Sequence, residues 1–281
     1  MATVYFFNGT QSGTANGSYA DPYDLSSLAT QEGSATSGDI FIFKDGTYNL
    51  SSALSFGSAI TSNSLTYRAE STRGVTFSST STYDFGNTNL TAGQTYEGLI
   101  FNTSYTGSDL ITWNQDGTLS EKLHTFNDCD FKAKKFAENN GQVTRAKVTC
   151  NRCQFEQTGA VTNYWFEQRS GAVVGDRAQF DFVNCTIHNR TGIGTPANVF
   201  HRCTVDAKNT IIFDYSNSIT SVTSTSATIN LSGPCDIIRD DDTSMVTDSN
   251  NIAQDPQFVD QANGDLRLRP TSPCIGAGTA S

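Results

Sequence analysis

The residues best placed for chemistry follow a pattern that recurs along the chain. Five segments share the order apolar-x-x-(Leu or Cys)-x-apolar, and their central residues are Leu99, Cys129, Cys153, Cys185 and Cys203. If these segments stack, one outward column of titratable side chains contains Lys132, Glu156, His188 and Asp206. A lysine or histidine beside a carboxylate shifts its neighbour's pKa and can form a proton-transfer pair. The alternative is a solvated ladder of charges, which the residue types favour and which contributes less than about 1 kcal/mol per pair.

A second candidate group combines aromatic rings with charged side chains in the two long insertions between these segments. Its members are Tyr105, Trp113, Tyr164, Trp165, Glu167 and Arg169. Sugar rings pack on Trp and Tyr faces while carboxylate and guanidinium groups bind hydroxyls, so this set predicts glycan binding. The alternative is that Trp113 and Trp165 fill the core of wider turns.

The seven cysteines raise the question of metal or redox chemistry. Cys150 and Cys153 form a CxxC motif, but no second ligand pair lies at zinc spacing and none of the three histidines lies near another CxxC. We therefore predict no metal and no cofactor. The cysteines are interpreted as reduced, buried thiols that act as small hydrophobic residues.

Short stacked strands are the elements that would position these side chains. The five central residues are 18 to 32 residues apart, which is close to one turn of a solenoid whose loops differ in length. Turns of about three short strands pile up about 4.8 Å apart, so equivalent residues form ladders through the core. Beside the Leu and Cys ladder, a second inward ladder is expected at Phe101, Phe131, Phe155, Ile187 and Val205.

The composition agrees with an all-β chain. The 281 residues include 18 Phe and 10 Tyr but only 16% charged residues, so helix formers are scarce and strand formers abundant. The net charge of -10 repels phosphates, and we expect neither nucleic acid nor a membrane as a partner. The sequence shows no signal peptide and no apolar segment that could span a bilayer, so synthesis in a cytoplasm is expected.

Three further segments resemble the right-handed parallel β-helix, or pectin-lyase-like, superfamily. They are an N-G … D-P-Y opening at 8–23, the motif GDIFIFKDGTY at 38–48, and a D-P-x-F … G-D-L-x-L … S-P-x-I ending at 255–278. The resemblance implies an all-β chain folded as a single-stranded right-handed parallel β-helix solenoid. Its expected parts are an N-terminal cap at 1–37, coils at 38–254 and an irregular C-terminal cap at 255–281, all in one domain.

The caps are also expected on physical grounds, because exposed strand edges invite aggregation. Residues 24–31 (DLSSLATQ) predict a short capping helix, with Asp24 as its N-cap, Leu25 and Leu28 on one face, and Gly33 after it. This helix would cover the first turn, and the irregular C-terminal segment would cover the last.

No catalytic residues of the superfamily can be transferred to this chain. The run Asp240, Asp241 and Asp242 lacks the arginine, lysine or histidine surroundings that the resemblance would require. The first hypothesis is therefore a non-enzymatic structural or surface-display protein. It would be a phage virion component such as a head or tail fibre or spike, with other virion proteins or cell-surface polysaccharide as partners and with a homotrimer as one arrangement.

The second hypothesis is a polysaccharide lyase or glycoside hydrolase that acts on an acidic glycan, with Ca²⁺ as the cofactor in the lyase case. A polyanionic substrate would need a local basic cleft on this acidic chain. Its expected source is the set Lys132, Lys134, Lys135, Arg145 and Lys147.

Overall fold

The structure is a computed structural model that describes most of the chain. The described residues are 2–8, 15–51, 53–57, 59, 62–81, 83–85, 93–103, 111–113, 122–134, 136–139, 146–159, 164–168, 178–189, 198–201, 203–215, 228–231, 236–239 and 254–277.

Ten parallel strands form the largest sheet, which we call the first sheet. In spatial order they are β2 (Tyr23–Asp24), β1 (Val4–Asn8), β3 (Ile40–Phe43), β6 (Thr66–Ala69), β9 (Gln94–Glu97), β12 (Lys122–Asn127), β15 (Ala146–Asn151), β18 (Ala178–Val183), β21 (Cys203–Lys208) and β23 (Thr228–Leu231).

Two further parallel sheets accompany it. The second sheet contains, in spatial order, β4 (Gly46–Leu50), β7 (Val75–Ser79), β10 (Leu99–Thr103), β13 (Asp130–Ala133), β16 (Gln154–Gln157), β19 (Thr186–Asn189), β22 (Ile211–Tyr215) and β24 (Asp236–Arg239). The third sheet contains β5 (Leu54–Phe56), β8 (Tyr83–Phe85), β11 (Ile111–Trp113), β14 (Ala137–Asn139), β17 (Tyr164–Gln168) and β20 (Asn198–His201).

The chain visits the three sheets in rotation. From β3 to β22 each strand lies in the sheet after that of its predecessor. From β6 to β19 each strand pairs in parallel with the strands three before and three after it in chain order. We call one such cycle of three strands a coil, and the first coil is β3 to β5. The prediction of an all-β chain is confirmed.

Aromatic columns fill the space between the sheets. Inward residues of the first sheet stack ring on ring, with centroid distances of 5.5 Å from Phe41 to Tyr67, 5.2 Å from Tyr67 to Tyr96 and 4.6 Å from Tyr96 to Phe126. The second sheet adds a parallel column, of which Phe77, Phe101, Phe131 and Phe155 are members. Nearly all these rings are fully buried, so the polar residues of the sequence are left to the corners and the outer faces.

The predicted ladders are confirmed for their first four residues and wrong for the fifth. Leu99, Cys129, Cys153 and Cys185 occupy equivalent positions at the start of consecutive second-sheet strands. The next equivalent residue is Thr210, because β19 pairs with β22 and not with β21. Cys203 instead pairs with Ala178 in the first sheet.

The second ladder shows the same shift. It runs through Phe101, Phe131, Phe155 and Ile187 as predicted and then continues to Ile212. Val205 belongs to the first sheet, where it pairs with Phe180.

The ladder thiols do more than fill space. Cys185 Sγ lies 3.4 Å from the carbonyl oxygen of Val183 and 3.2 Å from that of Cys150 in the preceding coil. Cys129 and Cys153 repeat this pattern of contacts, and Thr210 reproduces it with a hydroxyl. The three cysteines and Thr210 therefore donate to backbone carbonyl groups at the corner between two sheets. Burial raises the pKa of Cys129 and Cys185 and keeps these thiols protonated.

The predicted N-terminal helix is confirmed, with a later end. Asp24 Oδ1 accepts from Ser26 N at 2.8 Å and caps a 3₁₀ turn at Leu25–Ser27, which runs into α1 (Leu28–Ser34). Buried Glu32 fixes this helix to the first two coils, because its Oε1 accepts from Gly57 N and from the Tyr67 hydroxyl, each at 2.7 Å. None of the helices among the described residues is long and apolar enough to cross a membrane.

The C-terminal segment forms a small antiparallel hairpin of β25 (Phe258–Asp260) and β26 (Asp265–Leu268), joined by a 3₁₀ turn at Gln261–Asn263. Gly264 lies beside the second sheet, since a methyl group on its Cα would come within 3.5 Å of Glu156 Oε2. This contact is with the outer face of a middle strand, β16. The prediction of a cap on the last turn did not include it.

Candidate functional site

One-residue corners join the first sheet to the second in several coils and shape the outer surface. The corner residues share a positive φ, and they are Gly98 (67°), Asp128 (55°), Arg152 (56°), Asn184 (54°) and Asn209 (49°). In the first four of these corners the backbone N–H donates to a carbonyl of the next coil, at distances of 2.9 to 3.0 Å. Glycine, asparagine and aspartate tolerate this left-handed conformation best, which explains most of these residue types.

The corner of the second coil is longer and projects from the surface. We call its residues, 70–74, the long corner. It is anchored on both sides, by Ser71 N to Asp45 Oδ1 at 2.9 Å and by Arg73 N to Gly98 O at 2.7 Å. A Cβ on Gly98 would lie 3.1 Å from the Cα of Thr72, so the next corner must be glycine for the long corner to rest on it.

A cleft lies between the long corner and the one-residue corners of the coils that follow it. Its volume is about 440 Å³, and small-ligand sites typically have about 300 to 1,000 Å³. The polar side chains that line it are Arg68, Glu70, Thr72, Glu97, Asn127, Asp128 and Arg152. They come from four successive coils, so the parallel pairing of the first sheet brings together residues that are far apart in sequence.

An ion pair orients the far wall of the cleft. Arg152 donates to both carboxylate oxygens of Asp128, from Nε at 2.8 Å and from Nη2 at 2.7 Å. The Arg152 hydrogen bonds hold the pKa of Asp128 below its ordinary value, and Asp128 in turn raises the pKa of Arg152. Beside this pair, Asn127 Oδ1 accepts from Asn151 Nδ2 at 2.9 Å. These polar groups are therefore fixed before a ligand arrives.

Two carboxylates on the near wall are held less tightly. Glu97 pairs in register with Arg68 on one side and Asn127 on the other, and Glu70 Oε2 accepts from Asp45 N at 3.3 Å. Within the described residues neither Glu70 nor Glu97 forms an ion pair. Both carboxylates can therefore accept hydrogen bonds from a ligand in the cleft.

Behind the cleft, Arg73 of the long corner reaches the second sheet. Its Nε lies 2.8 Å from Asp130 Oδ1, and its Nη2 donates to the Arg152 carbonyl oxygen at 3.1 Å. Burial raises the pKa of Asp130, although the Arg73 charge opposes this. The pair holds the long corner above the cleft.

The predicted charged column is correct for three of its four residues. Lys132, Glu156 and His188 are in register on the second sheet, and Lys132 Nζ lies 3.6 Å from Glu156 Oε2. Asp206 is not part of this column, because it pairs with Asp181 in the first sheet and the strand after His188 presents Phe213. The error follows from the misplaced Cys203 segment.

The environment of the column also differs from the solvated ladder that the residue types favoured. Glu156 and His188 are buried, and the C-terminal hairpin lies against Glu156. Only Lys132 of these three has a substantially exposed side chain.

The structure places the strands of only part of the predicted aromatic set. Trp113 lies on β11, whereas Tyr164, Trp165 and Glu167 lie on β17, two strands away in the third sheet. Trp113 is in register with Asn139 and hence with Gln168. Tyr105 and Arg169 lie outside the described residues. A glycan-binding role for this set stays a prediction.

The cleft residues were missed from the sequence. Arg68 and Glu70 belong to a coil that contains none of the five repeated segments, and Glu97, although it lies in the segment of Leu99, was not singled out. Corner length was the available signal: six residues separate Arg68 from Val75, but only one separates Glu97 from Leu99.

Comparisons with known proteins leave the class of this site open. No family model matches the chain, and no match was found among the curated proteins or the solved structures. Among the residues that the structure describes, no group of three or more His, Cys, Asp and Glu side chains could hold a metal ion.

Proposed function

We propose that the three sheets are the faces of one right-handed parallel β-helix. The rotation of the chain through the sheets, the parallel pairing and the continuous aromatic columns support this. Right-handedness is supported by the strong general preference for right-handed crossovers between parallel strands of one sheet.

We further propose that this scaffold is a non-enzymatic surface-display module that binds a saccharide in the cleft. The cleft itself is the observation that carries the proposal. It holds amide, carboxylate, hydroxyl and guanidinium groups whose positions are set by strand register, and saccharide hydroxyls bind such groups. Because the groups are already oriented, little conformational entropy is lost when a ligand binds.

The second candidate, an acidic-glycan lyase or hydrolase, has less support. A lyase base must accept a proton, yet two of the three arginines in or behind the cleft are held by carboxylates, Arg152 by Asp128 and Arg73 by Asp130. Of the basic cleft expected for that hypothesis, Lys132 is bound to Glu156 and Lys147 to Asp181. Arg145 and Lys135 lie outside the described residues.

The setting that we propose is the surface of a virus particle, as a phage fibre or spike component with other virion proteins or cell-surface polysaccharide as partners. A stiff stack with an acidic, polar exterior suits display because the net charge of -10 keeps such a surface soluble. Sedimentation of the purified protein tests the homotrimer, and immunogold labelling of purified particles tests the setting.

The binding proposal is tested by titrating the protein with a panel of oligosaccharides under calorimetry. We expect at least one to bind, and Glu97→Gln to weaken it about tenfold, because a charge-assisted hydrogen bond is worth roughly 1.5 to 3 kcal/mol. The matched control is Asp265→Asn, which removes one carboxylate from the C-terminal hairpin and should leave the affinity unchanged.

Activity assays on the same panel separate the two candidates. Reducing ends and unsaturated products are measured with and without calcium. Binding without turnover supports the display module, whereas turnover that Glu97→Gln abolishes would establish an enzyme. If no saccharide binds to the wild-type protein, saccharide recognition by the cleft is wrong.

A further inference from the structure

We infer that the cleft is one end of a longer groove whose ligand is an oligosaccharide bearing amino groups, laid along the axis of the coils. The inference rests on the proposed saccharide binding and adds the class of sugar and the direction of the chain. Two observations carry it, an exposed aromatic ring beyond the cleft and the balance of charges along it.

The aromatic ring belongs to Tyr19, which is 55% exposed. It lies near Glu70, a cleft residue, whose carboxylate raises the pKa of Tyr19. The ring is also held in place, because Lys44 Nζ lies 4.1 Å from its centroid and Phe6 packs edge-on at 5.4 Å. A fixed, exposed tyrosine at the end of a polar cleft offers a sugar ring an apolar face.

The groove is long enough for several linked sugar rings. Lys44 follows the first strand of the first coil, and Arg152 lies at the corner of the fifth coil. Four steps between adjacent coils span about 19 Å at the usual separation of paired strands. A ligand that uses both ends must therefore run along the stack.

The charges along this groove favour a cationic ligand. Three carboxylates, on Glu70, Glu97 and Asp128, and two guanidinium groups, on Arg68 and Arg152, line the cleft, and the Lys44 ammonium lies beyond it. Two of the cations are already engaged, since Arg152 binds Asp128 and Lys44 sits over the Tyr19 ring.

The two carboxylates of Glu70 and Glu97 are therefore left with one cation, that of Arg68, which is in register with Glu97. Ammonium groups form short charge-assisted hydrogen bonds with such carboxylates. Uronates would meet both these carboxylates and the field of an acidic chain, which would repel them.

The test compares four probes by calorimetry in a weakly acidic, low-salt buffer, where amines and carboxylates are both charged. The probes are a glucosamine tetramer, a glucosamine dimer, an N-acetylglucosamine tetramer and a galacturonate tetramer. We expect the glucosamine tetramer to bind at least about fivefold more tightly than each of the other three.

Three variants assign the effect to the groove. Glu70→Gln should reduce the preference for the glucosamine tetramer over its acetylated counterpart at least about threefold. Tyr19→Ala should remove most of the advantage of the tetramer over the dimer. Asp265→Asn removes one negative charge, as Glu70→Gln does, but lies on the C-terminal hairpin, and it should leave both ratios unchanged.

The outcomes separate this inference from the proposed function. Galacturonate binding as tightly as glucosamine, a dimer equal to the tetramer, or equal losses in Glu70→Gln and Asp265→Asn would each overturn the inference while saccharide binding stands. If none of the four probes and no other saccharide binds, the proposed function fails and the inference fails with it.

Discussion

Arg73 binds Asp130 two coils further along the stack, with its Nε 2.8 Å from Asp130 Oδ1. The same guanidinium reaches the Arg152 carbonyl oxygen at 3.1 Å, so one side chain connects the long corner to the far wall of the cleft. The position of the long corner therefore depends on a charge pair that lies behind the cleft and does not line it.

Arg73→Met is expected to lower the free energy of unfolding by about 1 to 3 kcal/mol, because it leaves the largely buried Asp130 carboxylate without its cation. In an Asp130→Asn background, Arg73→Met should lower the free energy of unfolding clearly less. Urea denaturation of the four proteins in this double-mutant cycle measures the coupling. Additive effects would show that the pair contributes nothing to stability.

The environment of the Asp39 carboxyl predicts that the protein loses stability in acid. Although burial alone would raise the pKa of this carboxyl, hydrogen bonds from the backbone of Thr36 and Thr3 lower it below the ordinary value. A carboxyl with a lowered folded-state pKa stabilises the fold above its unfolded value of about 3.9, and the contribution is lost as the pH falls through the folded pKa.

Asp39→Asn is therefore expected to cost about 1 to 2 kcal/mol at pH 7, since the hydrogen bonds lose their charged acceptor. Its difference from the wild type should shrink below about pH 4. Urea titrations at neutral and acidic pH check this, and a difference that stays constant between them would contradict it.

The hydrogen bonds that the ladder residues donate at the second-sheet corner predict an order of stability among variants at Cys185. Thr210 makes in the next coil the contacts that Cys185 makes in its own, so Cys185→Thr should keep both carbonyl oxygens hydrogen-bonded. Cys185→Val has nearly the same shape as threonine but no donor. We expect the valine variant to be less stable than the threonine variant by about 1 to 3 kcal/mol in denaturant titrations. The reverse order would show that packing alone governs the position.

Thiol accessibility gives a separate check on the coil register. Cys129, Cys150, Cys153 and Cys185 are buried, whereas Cys274 is half-exposed on the C-terminal segment. A maleimide should label Cys274 in the native protein and the other four only after unfolding, as mass spectrometry of peptides can show. Rapid native labelling of the four would refute their inward register.

The sequence predicted the register of the second-sheet strands only where cysteine recurs at the same position of successive coils. Cysteine at the start of successive second-sheet strands gave the register of Cys129, Cys153 and Cys185, and it failed where Thr210 took over the role with a hydroxyl. The segment around Cys203 repeats the pattern in sequence but belongs to the first sheet, where Cys203 pairs with Ala178. The corner residue Asn209, equivalent to Asn184, was the more reliable mark of the coil that contains β21 and β22.

The cleft could not be predicted from a repeated residue type. It depends on a difference between corners, since the long corner of the second coil stands above the single Gly98 of the next. Side chains such as Glu70 and Arg152 share no motif, and only the stacking of coils brings them to one surface. The burial of Glu156 under the hairpin near Gly264 was hidden likewise, because it joins segments more than 100 residues apart.

Gly98 links the shape of the cleft to stability. Its φ of 67° costs an alanine about 1 to 2 kcal/mol, and the added methyl group would press on the Thr72 backbone at 3.1 Å. Asn184 has a similar φ but lies outside the cleft, so Asn184→Ala is the matched control. We expect Gly98→Ala to destabilise the protein more than Asn184→Ala in urea titrations and, by displacing the long corner, to weaken saccharide binding where the control does not. Equal losses of stability with unchanged binding would show that the long corner does not rest on Gly98.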